Sequence, residues 1–410
     1  MGDRAAPQVP LPQWRRRAAD LADHLAQRGL MDDPHLRTAL QLVPRHLFAL
    51  QVFRRVNGAD WGVLDGSRPE HVGRWLDLVY ADEQLPVQLG PGIGGSSTPA
   101  VTRTAPRPGL VARMLQDLDL RTGLRVLEVG TGTGYTTALL CHRVGDPGVF
   151  SVDTDEAQLL AAHARLTALG WQPRLACGEP ELGWPAQAPF DRVLATNHAG
   201  VLPHAWVQQV VHGGLIVADL GTAAHGVLAR LAVTDRGDAS GVFLGYPALA
   251  VRGGNMGRPA ELGLRARPAD GEFTTAVSPA MLRDQAFGFF CQLHLQGGRC
   301  GYSATADGAI ATVIGPDGSW AEAILGDDAT PATGHLVRHA GPTNLWAVVE
   351  AAYQLWCELG HPVPTEFGLR VTHAGQTVWH SQGWSLHTDA GLGDVTLDLL
   401  QRVHAGLQML

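Results

Sequence analysis

A glycine-rich turn at residues 130–134 is the feature that most constrains the fold of this chain. The segment "LRVLEV" from Leu124 to Val129 is an apolar run typical of a buried strand, and glycines follow at positions 130, 132 and 134. A predicted helix through Leu140 begins directly after them. Glycines between a strand and a helix are typical of the first βα unit of a nucleotide-binding fold. The sequence therefore predicts a ligand-binding turn here.

The acidic residues around this turn indicate which nucleotide it binds. A dinucleotide fingerprint reads G-x-G-x-x-G, whereas here the glycines read G-x-G-x-G and Glu128 stands two positions before the first, where it would repel a pyrophosphate. A ligand with a positive amino group and a sulfonium would not be repelled. Asp153, after the second predicted strand, could bind ribose hydroxyls, and Glu179, after the third, an adenine amino group. Together these features predict S-adenosylmethionine as the cofactor.

We assign cofactor binding to residues at the carboxyl ends of the predicted strands. The candidates are Glu128, Gly130, Thr131, Gly132, Gly134, Tyr135, Asp153, Thr154, Gly178, Glu179 and Asn197. An alternative for the glycines is a tight strand-to-helix turn that binds no ligand. For Glu179 alone, the alternative is a solvated loop carboxylate. No metal ligands are predicted, because the spacing of the five cysteines is not that of a metal site.

Strands and helices continue to alternate after the turn. The strands are "GVFSVD", "PRLAC", "FDRVLATN" and "GLIVADL", with helices between them, including "PHAWVQQVV". This alternation predicts an α/β fold with a parallel, doubly wound sheet. Two further strands around a turn at 235–238 are interpreted as its antiparallel edge. Residues 13–48 predict two short helices, and the pattern weakens from 51 to 74.

The pattern changes after about residue 255. Short strands are separated by Asp-Gly turns, an amphipathic helix ends at Gly360, and a hairpin begins at Phe367, which together predict a separate C-terminal α+β domain. Trp346 and Trp356 are expected in its core. We predict three domains, over residues 1–75 (N-terminal helical region), 76–255 (domain that binds S-adenosylmethionine) and 256–410 (α+β domain).

Composition excludes several classes of protein. The chain of 410 residues is 45% hydrophobic and 17% charged, which predicts a folded protein. It has no apolar run of about 20 residues and no apolar signal segment, so we expect a cytoplasmic protein without membrane association. A formal charge of −8 argues against nucleic-acid binding. All 31 basic residues are arginine, so a lysine nucleophile is excluded, and the cysteines are expected to be buried free thiols.

The chain resembles the protein-L-isoaspartate O-methyltransferase family over roughly residues 20–250. The resemblance rests on "VPRHLF", "RPGLVARML", "VLEVGTGTGY", "GWPAQAPFDRVLATN" and "VVHGGLIVADLG". It implies a class I methyltransferase with a Rossmann-like sheet and N-terminal helices. The segments "LRDQAFGFFCQLHL" and "GPDGSWAEAIL" resemble the C-terminal extension of actinobacterial relatives associated with ribosomal peptides, such as graspetides and class I lanthipeptides. The resemblance implies that residues 76–255 form a methyltransferase domain and that the domain over 256–410 could bind a peptide substrate. That partner would be a precursor peptide in which an aspartate is methylated and then closes to an aspartimide.

The resemblance also implies a substrate-facing segment. The family pattern, Thr-x-Ser followed by proline, matches Thr104, Pro106 and Pro108, so the serine is absent here. An aspartyl carboxylate is already ionised at neutral pH and needs alignment rather than a strong base. The groups predicted to orient or anchor that carboxylate are Thr104, Thr102, Ser96, Ser97, Arg103 and Arg107, with Thr104, Thr102 and Arg107 as the catalytic candidates.

Four functions are consistent with the sequence. The first is methylation of an aspartyl carboxylate in a modified ribosomal peptide, leading to an aspartimide. The second is repair of isoaspartyl residues in aged proteins, which the missing serine and the long extension disfavour. A third is a cofactor-binding module that has lost turnover. The fourth is a small-molecule methyltransferase, since this type of core does not specify a substrate.

Overall fold

The computed structural model of the protein describes residues 11–56, 60–92, 99–221, 226–247, 267–295, 297–305, 308–325 and 334–389. Contacts divide the chain into two compact units that interleave along the sequence. The first unit comprises Met1–Asn197, Ala205–Ala218 and Arg230–Gly237, and the second comprises His198–His204, Asp219–Ala229 and Asp238–Leu410. The predicted boundaries at 75 and 255 stay a prediction.

Two helices and a short 3-10 helix form the N-terminal region, as the sequence predicts. They are α1 (Leu11–Gln27), α2 (Pro34–Leu42) and the 3-10 helix Arg45–Phe48. Asp33 caps α2, since its side chain accepts a hydrogen bond from the amide of His35 at 2.7 Å, and Pro34 occupies the first turn. Leu21 and Leu25 of α1 are buried.

The weak pattern between 51 and 74 conceals a hairpin and a helix that we did not predict. These elements are β1 (Gln51–Val56), β2 (Asp60–Asp65) and α3 (Val72–Val79). Val52 is the only fully buried residue of β1, and Asp65 is the only one of β2. Because the hairpin buries so little apolar surface, its strands lack the alternation that would reveal them.

A second hairpin precedes the glycine-rich turn. It pairs β3 (Leu85–Gly90) with β4 (Ala100–Ala105), and α4 (Pro108–Asp117) follows. Its two strands are antiparallel, with Leu85 opposite Ala105 and Pro86 opposite Thr104. The predicted substrate-facing segment therefore runs from the end of β4 into the first turn of α4.

The central sheet is built from alternating strands and helices. Its elements are β5 (Val126–Val129), α5 (Tyr135–Val144), β6 (Val149–Asp153), α6 (Glu156–Ala168), β7 (Arg174–Cys177), β8 (Phe190–Ala199), α7 (His204–Gln208), β9 (Val210–Leu220) and β10 (Val227–Val233). Helix α7 is shorter than predicted, because the β-branched Val210 and Val211 belong to β9. These strands have the order β10-β9-β8-β5-β6-β7 within a sheet of ten described strands.

Strand β5 lies between β6 and β8 and is parallel to both. The chain moves outward from β5 to β7 on one side and returns to β8 on the other, so the order reverses between β5 and β8. In open parallel sheets, ligands bind beyond the carboxyl ends of the strands at such a reversal. This confirms the doubly wound sheet and directs attention to residues 130–134 and 196–197.

The described part of the second unit contains mainly antiparallel strands and two α-helices. Its elements from residue 239 onward are β11 (Ala239–Pro247), β12 (Gly271–Thr275), α8 (Gln285–His294), β13 (Arg299–Thr305), β14 (Gly308–Ile314), β15 (Trp320–Leu325), β16 (His335–Ala340), α9 (Leu345–Glu358), β17 (Phe367–Thr372), β18 (Gly375–His380) and β19 (Ser385–Asp389). One sheet has the order β12-β16-β15-β14-β13. Helices α8 and α9 pack through Phe287, whose ring centroid lies 5.5 Å from that of Trp356. Trp346 and Trp356 are buried, as expected.

Strand β11 corrects one prediction. As we expected, it follows β10 in the sheet that contains the parallel strands, but it is not the edge strand, because it also pairs with β17, with Ala239 opposite Val371. The predicted hairpin from Phe367 thus joins β11 in the order β11-β17-β18-β19, and not the five-stranded sheet. Since Ala239 and Val371 are far apart in the sequence, no local pattern indicates this pairing.

Among the described residues, none of the helices has both the length and the hydropathy that a membrane span requires.

The expectation of buried thiols holds for Cys141, Cys291 and Cys300, whereas Cys177 is exposed and Cys357 is half-buried. Cys177 is the last residue of β7, where the chain leaves the sheet.

Candidate functional site

The glycine-rich turn adopts a backbone that strongly favours glycine. Gly130, Gly132 and Gly134 have φ of 100°, 52° and 89°. A Cβ on Gly130 would lie 2.9 Å from the hydroxyl oxygen of Thr196, and one on Gly134 would lie 3.1 Å from the Cβ of Ala162. The first and last glycines therefore allow close packing, whereas no atom lies within 4 Å of a Cβ on Gly132. The middle of the turn faces open space.

Asp153 ties this turn to the end of β6. Its Oδ2 accepts a hydrogen bond from the amide of Gly132 at 2.8 Å, and its Oδ1 accepts one from the amide of Asp155 at 3.1 Å. The amide of Gly132 is therefore not directed at a phosphate, as it would be in a pyrophosphate-binding loop. A carboxylate offers about four acceptor positions, so Asp153 can accept further hydrogen bonds from hydroxyl groups.

Glu128 lies in a buried cluster of hydroxyl groups. Its Oε2 accepts hydrogen bonds from Thr137 at 2.5 Å and Ser151 at 2.7 Å, and the Ser151 hydroxyl lies 2.6 Å from that of Thr131. Burial raises the pKa of Glu128 to about 8, although the two hydrogen bonds act in the opposite direction and lower it. Its Oε1 is buried and has no hydrogen-bond partner among the described residues. A cationic ligand group beside this oxygen would favour the ionised carboxylate.

Asn197 supplies a second buried acceptor beside the turn. It lies near the end of β8, and its backbone nitrogen is 3.4 Å from the position of a Cβ on Gly130. Its Oδ1 is buried and lacks a hydrogen-bond partner within the described part of the chain. A buried polar atom without a partner is costly, so a ligand that donates to it would gain affinity.

The remaining cofactor candidates fall into two groups. Tyr135 is buried, with its ring 5.8 Å from that of Phe48, and burial raises its pKa to about 12. It joins the turn to the N-terminal region. Thr154 and Glu179 are exposed at the rim, and the amide of Gly178 donates to the backbone oxygen of Asp153 at 3.1 Å. A Cβ on Gly178 would meet no atom within 4 Å, so the space there is open.

The hydroxyl candidates on the substrate side lie on one face of β4. The Thr104 hydroxyl oxygen accepts a hydrogen bond from the side-chain amide of Gln84 at 2.8 Å, which leaves its own O–H to donate. Thr102, two residues earlier, is exposed, and its methyl group lies 2.5 Å from the position of a Cβ on Gly90. Ser96 and Ser97 lie outside the described residues.

The two candidate arginines form ion pairs. Arg107 contacts Asp82 at 2.9 Å, and Arg28 contacts the same carboxylate at 2.9 Å. Arg103 pairs with Asp155 at 2.5 Å. An acidic substrate would compete with these carboxylates for the guanidinium groups, and the anchoring roles of Arg103 and Arg107 stay predictions.

Arg45 organises the substrate side, although the sequence did not identify it as a site residue. It is 1% exposed and donates to the carbonyl oxygens of Val79 at 2.6 Å and Pro106 at 2.8 Å. Its guanidinium carbon lies 5.6 Å from the ring centroid of Tyr135. Arg45 therefore links the Thr104–Pro108 segment to the glycine-rich turn. The segment "VPRHLF" contains this residue, but nothing in the sequence indicates its contacts.

Comparison with known proteins identifies the family. The family model "Protein-L-isoaspartate(D-aspartate) O-methyltransferase (PCMT)" matches residues 63–241. The Protein-L-isoaspartate O-methyltransferase of Halorhodospira halophila is 34% identical over 242 residues, which cover 58% of this chain and 91% of that protein. The enzyme of that name from Xanthobacter autotrophicus is 37% identical over 198 residues, covering 48% of this chain and 74% of the relative. This chain belongs to the protein-L-isoaspartate O-methyltransferase family.

A solved structure described as a protein-L-isoaspartate O-methyltransferase is also similar. It is 20% identical with a TM-score of 0.46, and the comparison covers 91% of this chain and all of that one. The aligned relatives are shorter than this chain, since the 242 residues that make up 91% of the Halorhodospira protein are 58% of the present one. The C-terminal extension predicted from the sequence agrees with this difference in length.

Members of this family are methyltransferases, and the cofactor is S-adenosylmethionine. The residues at the turn fit that molecule. Among the described residues, Glu128 and Asn197 each have a buried oxygen without a hydrogen-bond partner at the turn or next to it, and a Cβ on Gly132 would meet no atom within 4 Å. The described residues contain no group of three His, Cys, Asp or Glu side chains suited to a metal ion. The roles assigned to individual cofactor residues stay predictions.

Proposed function

We propose that this chain methylates an aspartyl side-chain carboxylate of a ribosomally synthesised, already modified peptide, and that the ester then closes to an aspartimide. The observation that carries the choice of substrate is Pro106, which stands where the family pattern has a serine. Proline has no hydroxyl group, so a hydroxyl donor must come from a neighbouring residue. Arg45 donates to the carbonyl oxygen of Pro106 at 2.8 Å. The additional C-terminal unit supports a dedicated peptide substrate rather than aged proteins in general.

The residues of the turn hold the cofactor in this proposal. S-Adenosylmethionine, when bound, supplies an electrophilic methyl group on a sulfonium sulfur. Asp153 would accept hydrogen bonds from the ribose hydroxyls, Glu128 and Asn197 would bind the polar end of the ligand, and the adenine side would be bound by Thr154, Gly178 and Glu179. In these assignments, carboxylates and an amide oxygen of the protein accept hydrogen bonds from a ligand that has positive charge and hydroxyl donors.

Thr104 orients the acceptor carboxylate. Because Gln84 donates to its oxygen, the Thr104 O–H is directed away from Gln84 and can donate to one carboxylate oxygen. The other carboxylate oxygen would be left free to accept the methyl group that the cofactor would supply, with the electron pair of the C–S bond left on sulfur. No base is needed, since the unperturbed carboxylate pKa of about 3.9 leaves the acid ionised at neutral pH. Alignment and exclusion of water are the contributions left to the protein.

The methyl ester is the activated form of the aspartate. The backbone nitrogen of the following residue attacks the ester carbonyl, methanol leaves with the amide proton, and a five-membered imide forms. This step requires no further catalytic group. Repair of isoaspartyl residues is the second candidate, and it is favoured by the family to which the chain belongs. It differs in the substrate that is recognised and not in the methyl transfer.

A substrate comparison tests the proposal. The purified chain is incubated with S-adenosylmethionine and either a co-encoded modified precursor peptide or a generic isoaspartyl peptide, and the products are analysed by mass spectrometry. We expect a methyl gain on the precursor followed by a net loss of one water, and no reaction of the generic peptide. Methylation of the generic peptide would support repair. Cofactor binding without transfer to either would support a binding module, and a stable ester would contradict the aspartimide step.

A further inference from the structure

A cavity of about 340 Å³ in the first unit adjoins the glycine-rich turn but is formed largely by other elements. Its wall includes Phe48 from the 3-10 helix, Gln88 from β3, and Gln158 and Arg165 from α6. Thr133, between the last two glycines of the turn, also lines it. Its volume lies at the lower end of the range of about 300–1,000 Å³ for small-ligand sites. The cavity can therefore hold a side chain of a peptide whose reactive residue is next to the cofactor.

Arg165 gives this cavity a positive charge. One guanidinium nitrogen donates to the backbone oxygen of Thr133 at 3.2 Å, and no carboxylate lies within 4.0 Å of the guanidinium among the described residues. A guanidinium has five N–H donors, so most of its donors are unused. Partial burial lowers the pKa of Arg165, because the charged form loses hydration. An anion that entered the cavity would compensate this loss.

The one acidic residue among those that line the cavity, Asp65, does not form an ion pair with Arg165. Asp65 accepts hydrogen bonds at Oδ1 from the amide and hydroxyl of Ser67, at 2.8 and 2.6 Å, and at Oδ2 from the side-chain amide of Gln51 at 2.8 Å. These donors stabilise its charge locally. Gln158 and Gln88 contribute neutral amides: the side-chain nitrogen of Gln158 donates to the side-chain oxygen of Gln88 at 3.3 Å, which joins α6 to β3 across the cavity wall.

We propose that this cavity binds an acidic side chain of the peptide substrate, other than the aspartate that is methylated, through the Arg165 guanidinium. The proposal rests on the proposed peptide function and adds a determinant of specificity to it. The side-chain amides of Gln88 and Gln158 can donate to the same carboxylate or to the adjoining peptide group, and Phe48 packs against its methylene carbons. The cavity therefore selects peptides with a glutamate or aspartate near the reactive residue.

Paired peptides test this inference. The probes are the co-encoded modified precursor peptide with glutamate beside the reactive aspartate and the same peptide with glutamine there, because the proposed function expects no reaction of a generic peptide. Their Kd values are measured by calorimetry with the full chain saturated with S-adenosylhomocysteine. We expect the glutamate peptides to bind about tenfold more tightly, since a charge-assisted hydrogen bond contributes about 1.5 kcal/mol or more. Arg165→Gln should bring the ratio of the two Kd values to one, and Arg165→Lys should keep part of the difference.

Controls separate recognition from support of the turn. Arg121→Gln removes an exposed guanidinium that pairs with Asp119 and should leave the ratio unchanged. If Arg165 only braces Thr133, Arg165→Gln would weaken S-adenosylhomocysteine and all peptides alike, and the proposal would be wrong. A ratio near one in the unsubstituted protein, or no binding of any peptide, would also overturn it. If the precursor is methylated while the ratio is one, the proposed function stands and only this inference fails.

Discussion

At the residue scale, the acidic residues around the turn differ in burial and in hydrogen bonding, and the sequence does not reveal these differences. Asp153 is 8% exposed and uses both oxygens to hold backbone amides, so it shapes the turn and still offers acceptor positions. Glu128 is fully buried, bonded to hydroxyl groups, and has a raised pKa. Glu179 is exposed. The sequence predicted that these acidic residues surround one ligand. It did not predict that Asp153 accepts hydrogen bonds from backbone amides and Glu128 from hydroxyl groups.

Replacing Asp153 should weaken cofactor binding. Asp153→Ala removes the acceptor for ribose hydroxyls and releases the amide of Gly132, so we expect the Kd for S-adenosylhomocysteine to rise at least tenfold, using about 1.5 kcal/mol per charge-assisted hydrogen bond. Calorimetry measures this change. Asp146→Ala is the matched control, because Asp146 also accepts from a backbone amide, that of Gln172, at 2.8 Å. Equal affinities for the Asp153→Ala variant and the unsubstituted protein would contradict the cofactor assignment.

Glu128 should make cofactor binding depend on pH. Its pKa of about 8 in the free protein means that the carboxyl group is mostly protonated at pH 7. A cofactor ammonium beside Oε1 would lower that pKa, so binding would release a proton. We expect affinity to increase as the pH rises toward about 8 and to level off above it. Calorimetry in buffers of different ionisation enthalpy measures the proton release.

The variant Glu128→Gln tests the origin of that release. Glutamine keeps a side-chain oxygen and the shape of the group but does not titrate over this range. The variant should bind with little proton release and a flatter pH profile. Proton release that persists in Glu128→Gln would assign it to another group and would remove Glu128 from the cofactor site.

At the element scale, ion pairs and buried carbonyl contacts hold the substrate-side hairpin. Arg103 of β4 contacts Asp155, which also caps α6 by accepting from the amide of Gln158 at 3.0 Å. That cap and the guanidinium hold the pKa of Asp155 below its ordinary value. Arg45 holds the carbonyl oxygen of Pro106. The hairpin, α4 and α6 are therefore positioned by contacts between residues distant in the sequence.

Asp82 should be the residue on which the start of α4 depends most. Its Oδ1 accepts from the amide of Gly109 at 2.7 Å, and its Oδ2 contacts Arg28 and Arg107. Asp82→Ala removes this cap and leaves the two guanidinium groups without their shared carboxylate. We expect a loss of about 1–2 kcal/mol in the free energy of unfolding, the usual magnitude for a lost cap. Urea unfolding monitored by circular dichroism measures it.

The matched control is Asp77→Ala. Asp77 also pairs with an arginine, Arg17, at 2.7 Å, but its side chain is 65% exposed. Exposed ion pairs contribute about 0–1 kcal/mol, so this variant should stay close to the unsubstituted protein. If both variants lose the same stability, the cap on α4 is not the reason for the effect of Asp82.

At the scale of the whole molecule, each unit contains a buried histidine that should make stability depend on pH. His46 lies in the first unit, with its Nδ1 2.8 Å from the hydroxyl of Tyr80, and His294 lies in the second, with its Nδ1 2.8 Å from the carbonyl oxygen of Phe290. Burial lowers the pKa of each to about 4. Both are therefore neutral in the folded chain near neutral pH.

Acid should destabilise both units through these histidines. Between pH 6.5 and about 4 the unfolded chain binds protons that the folded chain does not, so stability falls as the pH decreases through this range. A shift of this size corresponds to at most about 3 kcal/mol per histidine, from 1.36 kcal/mol per pH unit. Denaturant unfolding from pH 4.5 to 7 measures the slope. His46→Gln and His294→Gln should each reduce it, and an unchanged slope in both would contradict the assignment.

Glu128 contributes to the same profile with the opposite sign. Its folded pKa of about 8 exceeds the ordinary value of 4.5, so the folded chain holds an extra proton between these limits and stability decreases as the pH rises. Glu128→Gln should remove this component and leave the histidine component. Measuring the three variants together separates the two effects.

The sequence by itself determined the sheet, the turn and the family. Glycine at 130, 132 and 134, apolar strands and amphipathic helices are local patterns, and the backbone at the turn has the positive φ that those glycines indicate. The tertiary structure decided which charged side chains form ion pairs within the protein and which strands from distant segments pair. Arg107 meets Asp82 from 25 residues away, Arg103 meets Asp155 from 52, and β11 meets β17 across more than a hundred residues. Such pairings depend on burial and on packing between distant segments, and local periodicity carries no information about either.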